Sequence, residues 1–130
     1  MRTITFKHIA IAAGMFTVFS AGDALAQMYT DAQATAGGAQ YAAECVRCHG
    51  AQLQGAEGPA LTGAQFDGVW RGGAVKALFD FIKEYMPADK PKSLKDADVA
   101  ALTAFILKQN KVPAGEQPLT ATVAGNIPAK

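Results

Sequence analysis

Apolar positions recur with a helical period in two stretches of the chain. Between Ala74 and Tyr85, Val75, Leu78, Phe79 and Ile82 fall at helical spacing, while Lys76, Asp80, Lys83 and Glu84 take the other face. A repeat near 3.6 places these residues on one side, so the segment is predicted to be an amphipathic helix with one buried stripe. Met86-Pro87 ends it, because the residue before a proline is pushed out of the helical region. The second stretch runs from Ser93 to about Asn110, with Leu94, Val99, Leu102, Phe105 and Ile106 as its apolar set. Ser93-Leu94-Lys95-Asp96 resembles a capping box with Asp in place of Glu or Gln. Asp96 and Asp98 suit the positive end of this helix, and Lys108 and Lys111 the other.

The remaining segments carry weaker signals. Residues 27–37 are small and polar without an apolar period, which predicts a flexible N-terminal arm. From Gly38 to Cys48 most residues are good helix formers, and Gly50 is placed to stop that helix. Residues 51–68 are predicted to be loop, with Gly58-Pro59-Ala60-Leu61 a stiff turn whose carbonyl is free to accept a hydrogen bond. Phe66 and Trp70, four apart before Arg71, read as packing residues. Residues 112–130 carry Pro113, Pro118 and Pro128 and predict a coil tail that either wraps the surface or hangs free. No strand alternation and no internal repeat is visible, so the expected class is all-α, with three or more helices joined by long loops.

Residues 1–26 read as a signal peptide. Arg2 and Lys7 precede an apolar centre, Ile9 to Phe19, and Ala24-Leu25-Ala26 is a small-residue cleavage site. The apolar run falls short of the ~20 residues that span a bilayer, which favours a cleaved leader over an anchor. Cleavage leaves 104 residues, enough for one small domain, with no membrane span expected. It also takes Lys+Arg from 12 to 10 and Asp+Glu from 11 to 10, so the net charge is near zero. That balance gives no electrostatic footprint for nucleic acid or an anionic membrane.

The densest chemistry lies in Cys45-Val46-Arg47-Cys48-His49. Cys-x-x-Cys-His is the attachment pattern of a c-type haem. On a helical turn, residues three and four apart share a face, so two thiols and one imidazole project together. The thiols of Cys45 and Cys48 would form thioethers to the porphyrin vinyl groups, and His49 would give the iron an axial nitrogen. Three other readings compete. A redox dithiol would want a βαβ setting, which is missing. A structural zinc site needs four ligands, and the other histidine, His8, lies in the leader. A Cys45–Cys48 disulfide would close too short a loop to constrain much of the unfolded chain. Met86 is the second candidate metal ligand: with Met28 it makes up the methionines after the leader, and it stands in a stiff loop. A buried core methionine is the ordinary alternative.

Over Gly37 to Asn110 the chain resembles a class I cytochrome c. The matching residues are Gly37 and Tyr41, Cys45 to Gly50, Gly58-Pro59-Ala60-Leu61, Met86-Pro87 and a last helix bearing Phe105. The resemblance implies a cytochrome c domain over residues 38–111 wrapped around one covalent haem c. It implies iron held by His49 and Met86, and a hydrogen bond from His49 to the Pro59 carbonyl. It also implies that the first and last helices cross through Gly37 or Gly38, Tyr41 and Phe105. Trp70 and Arg71 are candidate contacts for the haem propionates. Trp70-Arg71-Gly72, Leu78-Phe79, Ile82-Lys83 and the last helix are similar to haem domains that partner pyrroloquinoline-quinone (PQQ)-dependent dehydrogenases.

These implications converge on electron transfer in the periplasm, between a PQQ-dependent dehydrogenase as donor and a terminal oxidase or another cytochrome as acceptor. Two further readings stand beside it: a haem subunit of a larger dehydrogenase or oxidase complex, and an open-site sensor or peroxidase-like protein if Met86 does not bind. Lys76, Lys83, Lys90, Lys92 and Lys95 cluster in sequence around Met86. They are either a solvated face or a basic ring that steers an acidic partner.

Overall fold

Thr30 begins the first helix of the computed structural model, which describes residues 28–130; the expected leader lies outside the described residues. Its hydroxyl accepts from the Gln33 N–H at 3.2 Å, and the Gln33 side chain accepts from the Thr30 N–H at 3.3 Å. This reciprocal cap satisfies two N–H groups that a helix start otherwise leaves bare. Helix α1 therefore runs Asp31–Glu44, and most of the predicted flexible arm is its first half. Tyr29, just before the cap, is fully buried, and its hydroxyl donates to the Val112 carbonyl. The signal was easily missed because the buried stripe of α1 is Ala34, Gly37 and Tyr41, in which two of three residues are small.

Among the described residues, α1 is followed by α2 Val46–His49, α3 Gly63–Trp70, α4 Val75–Tyr85 and α5 Asp96–Gln109, with no strand. The all-α expectation holds. α3 replaces the end of the predicted 51–68 loop, and α4 carries the buried stripe Val75, Leu78, Phe79 and Ile82 that its periodicity predicts. The Ser93–Asp96 box does not form. Lys95 stands at the N-cap instead, its N–H donating to the Asp98 carboxylate at 3.4 Å.

The core is organised by the crossing of α1 and α5. A Cβ on Gly37 would lie 1.9 Å from the Ala101 carbonyl oxygen and 2.8 Å from Phe105 Cβ, so the two backbones are in contact. Glycine is required there by space. One turn later Tyr41 meets Phe105 with ring centroids 5.2 Å apart and planes tilted by 42°. The helices thus cross as the resemblance implies, with Gly37 at the closest approach.

The tail wraps. Leu119 and Ile127 are buried, and residues 125–127 pair with the α3–α4 turn through Gly72, Gly73 and Val75. Gln33 also exchanges two hydrogen bonds with the Leu119 backbone, at 2.8 and 2.7 Å. These bonds give the coil's backbone groups the partners that secondary structure would otherwise supply.

Candidate functional site

The end of α1 and the single turn of α2 carry the Cys-x-x-Cys-His stretch. The His49 N–H donates to the Cys45 carbonyl at 2.9 Å, so the motif is wound as a helical turn. Gly50 stops it with φ +79°, a conformation that favours glycine. The Tyr41 hydroxyl donates to the Gly50 carbonyl at 2.6 Å, tying the motif to the α1–α5 crossing. The following loop is stitched back by bonds from Gly55 N–H to the His49 carbonyl and Gly58 N–H to the Cys48 carbonyl, both 2.8 Å.

His49 is 92% buried, and its Nδ1 lies 2.8 Å from the Pro59 carbonyl oxygen. A carbonyl only accepts, so Nδ1 carries a proton and donates it, and Nε2 is the nitrogen left for another partner. Among the described residues Nε2 has no hydrogen-bond partner, and His49 lines a cavity of about 1310 Å³. Cys45, Cys48 and Met86 line the same cavity, with Leu61, Trp70, Leu78, Ile82, Leu102 and Ile106 as apolar walls. Burial, then Glu44 and Cys48, push the Cys45 thiol up to about 11, so it is uncharged at neutral pH.

The volume exceeds the roughly 300–1,000 Å³ of ordinary small-molecule sites. Two cysteines and a histidine from one helical turn, with a methionine and apolar side chains lining the same cavity, fit a covalently attached macrocycle whose metal His49 and Met86 would ligate. They do not fit zinc: among the described residues no group of three or more His, Cys, Asp or Glu is placed to hold a metal ion.

Of the candidate propionate contacts, Trp70 lines the cavity and Arg71 does not. Arg71 caps α3 in an extended conformation, which turns its guanidinium away. It pairs with Asp67 at 2.9 Å and donates to the carbonyls of Pro128 and Asn110, binding the tail to the body. The structure therefore does not bring Arg71 to the cavity as expected: it stands outside the lining, with three of its five N–H donors given to these partners. Of the two readings of the lysine cluster, the solvated face is the one the structure shows. Lys76 pairs with Asp80, Lys83 with Asp96, Lys90 with Glu44 and Lys92 with Glu84, at 2.6 to 2.9 Å. Four of the five charges are thus balanced locally, and no basic ring forms.

Sequence reasoning missed two parts of the site. Asn110 is buried and donates to the carbonyls of Leu61 and Ile106 at 2.8 and 2.9 Å, fixing the loop that also presents Pro59. Its only signal was a polar residue closing an apolar helix. The second part is a pair of ionic links, Glu44–Lys90 and Arg47–Asp89, that join the motif helices to the Met86 loop. Nothing in the sequence pairs those positions.

Known proteins bear on this arrangement in three ways. A family described as "Cytochrome C oxidase, cbb3-type, subunit III" matches residues 32–106. Among solved structures the chain is similar to the sulfane dehydrogenase SoxCD from Paracoccus pantotrophus, at 24% identity and a TM-score of 0.57. The match covers 74% of this chain and 53% of that one, so it reaches about half of the longer protein and speaks to the fold alone. No curated protein matches. In the described residues no helix is long and apolar enough to cross a membrane. Because the family match takes in more than half of the sequence, from the first turn of α1 almost to the end of α5, the chain belongs to this c-type cytochrome family, whose members carry covalent haem c and transfer electrons rather than act as enzymes.

Proposed function

We propose that the protein is an exported monohaem cytochrome c that carries single electrons in the periplasm, from a dehydrogenase to a downstream acceptor. Cys45 and Cys48 would hold the haem as thioethers, and His49 and Met86 would supply its iron with a nitrogen and a sulfur ligand. When bound, the haem supplies a one-electron Fe(III)/Fe(II) couple. The observation that carries the proposal is His49: its Nδ1 is committed to the Pro59 carbonyl, leaving Nε2 free for a ligand role, and His49 lines a cavity that Met86 also lines.

The surrounding residues fit a carrier. The Pro59 carbonyl fixes the imidazole orientation and raises its basicity. The soft sulfur of Met86 favours the reduced metal, and the apolar walls from Leu61, Leu78 and Ile82 disfavour the extra charge of the oxidised one. A PQQ-dependent dehydrogenase remains the donor class we favour, on the likeness of Trp70-Arg71-Gly72, Leu78-Phe79 and Ile82-Lys83 to haem domains that partner such enzymes. The family's description as an oxidase subunit favours a second reading, a haem subunit held in a larger complex, which copurification would reveal.

The test is the visible spectrum of the oxidised holoprotein beside Met86→Ala. The weak far-red methionine-to-iron band is expected in the wild type and absent in the variant. A wild type that lacks it and binds carbon monoxide when reduced has an open site, and the sensor or peroxidase-like reading replaces the carrier.

A further inference from the structure

Asn110 closes α5, and with His49 and Thr103 it makes up the buried polar side chains of the described residues. Its amide nitrogen is a fork of two donors, and both go to main chain: one to the Leu61 carbonyl at 2.8 Å, the other to the Ile106 carbonyl at 2.9 Å. Its own carbonyl accepts from the Arg71 guanidinium, and its N–H donates to the Ile106 and Leu107 carbonyls at 3.1 Å. A residue held through its side chain and at both main-chain polar atoms is a fixed point.

Leu61 stands two residues after Pro59, whose carbonyl accepts from His49 Nδ1 at 2.8 Å. Before Pro59 the loop is tied to the motif by Gly58, whose N–H donates to the Cys48 carbonyl at 2.8 Å. After it, the Ala60 N–H donates to Gln65 at 3.0 Å and the Leu61 N–H to the Leu53 carbonyl at 2.9 Å. Leu53 and Gln65 belong to the same stretch of chain and can shift with it. Asn110 is 49 residues from Leu61, on the helix that Gly37 locks against α1, so its bond ties the far side of the Pro59 turn to the rigid half of the domain.

We infer that Asn110 is a positioning residue for the histidine ligand: by pinning Leu61 it aims the Pro59 carbonyl at His49 Nδ1, and so holds the Fe(III)/Fe(II) potential below the value that an unanchored loop would give. A better-aimed bond makes the imidazole more basic, and a more basic nitrogen favours the oxidised, more highly charged metal. The inference rests on the reading that His49 ligates the haem iron. The family match ends at residue 106, so Asn110 lies outside it.

The test compares the wild-type holoprotein with Asn110→Leu, which has neither donor, and Asn110→Ser, which keeps one O–H on a shorter side chain. In the reduced state, exchange of the His49 Nδ1 proton with solvent, followed by NMR, should be about tenfold faster in Asn110→Leu and about threefold faster in Asn110→Ser. At a fixed solution potential the ratio of reduced to oxidised protein should rise by about threefold or more in Asn110→Leu, and by less in the same direction in Asn110→Ser. Gln33→Leu also removes an amide bonded to main chain, at Leu119 and away from the site, and should move either reading by less than about twofold. If Asn110→Leu does not fold, Asn110→Ser decides. An exchange rate or a ratio that stays at the wild-type value in the Asn110 variants, or moves equally in Gln33→Leu, overturns the positioning role. The wild type reports the underlying reading separately: if its reduced form lacks the ring-current shift of a haem-bound imidazole at His49, the ligand reading itself fails, and if the shift is present only the role of Asn110 is at stake.

Discussion

At the α1–α5 crossing polypeptide packs on polypeptide, whereas along α4 and the Met86 loop the apolar side chains face a cavity. The first region is complete as amino acids: Gly37 lets two backbones touch, Tyr41 packs at a tilt against Phe105, and Tyr29 and Gln33 are held by the tail. The second needs something to pack against, since Leu78 and Ile82 are buried side chains that also wall a space of about 1310 Å³. One half of the domain is thus stabilised by sequence alone, and the other is stabilised by what the sequence holds.

Removing the cofactor is the strongest test of that contrast. In Cys45→Ala/Cys48→Ala the covalent haem stain on a denaturing gel should vanish. Amide protection should be lost across α4 and the 86–94 loop while α1 and α5 keep measurable protection. Uniform loss over all helices would erase the distinction. Gly37→Val attacks the other region. A side chain 1.9 Å from the Ala101 carbonyl must drive the helices apart, costing about 4 kcal/mol or more in denaturant unfolding while the haem remains attached.

How much of this was legible beforehand differs by region too. The cofactor site was the easier part, because Cys45, Cys48 and His49 are a contiguous motif whose chemistry needs no tertiary information, and α4 announces itself by period. The α1 side was harder. Its buried face is built from Ala34 and Gly37, which carry little hydrophobic signal, and the useful clue was the Thr30-to-Gln33 capping pair. The surroundings of Arg71 and of the lysines were not legible for one reason: their partners are set by the fold. Arg71 reaches carbonyls 39 and 57 residues away, and Lys90 finds Glu44 across the cavity mouth.

Smaller perturbations sharpen the comparison. Ending the chain at Asn126 removes the buried Ile127 side chain and its backbone pairing with Gly72 and Gly73. Unfolding free energy should fall by about 3 kcal/mol, with the far-red band unchanged. The mildest test is alkaline pH. Burial and then the neighbouring Asp31 raise the Tyr29 hydroxyl from 10 to about 12. The folded state therefore keeps a proton that the unfolded chain loses, so stability present below pH 10 should decline as pH rises towards 12. Burial also raises the Tyr41 hydroxyl to about 12, so Tyr29→Phe should lessen that decline without abolishing it in chemical denaturation across the same window.

The α1–α5 crossing also sets an order of assembly. Gly37 contacts Ala101 and Phe105, so the chain's closing contact joins its first helix to its last and brings together residues far apart in sequence. Such a contact cannot form while a growing chain is shorter than α5 requires, and the entropy of closing so long a loop makes it slow. The cysteines at 45 and 48 are synthesised well before that lock exists. Until that contact closes, the cavity that Cys45 and Cys48 line lacks the wall that Leu102 and Ile106 of α5 supply.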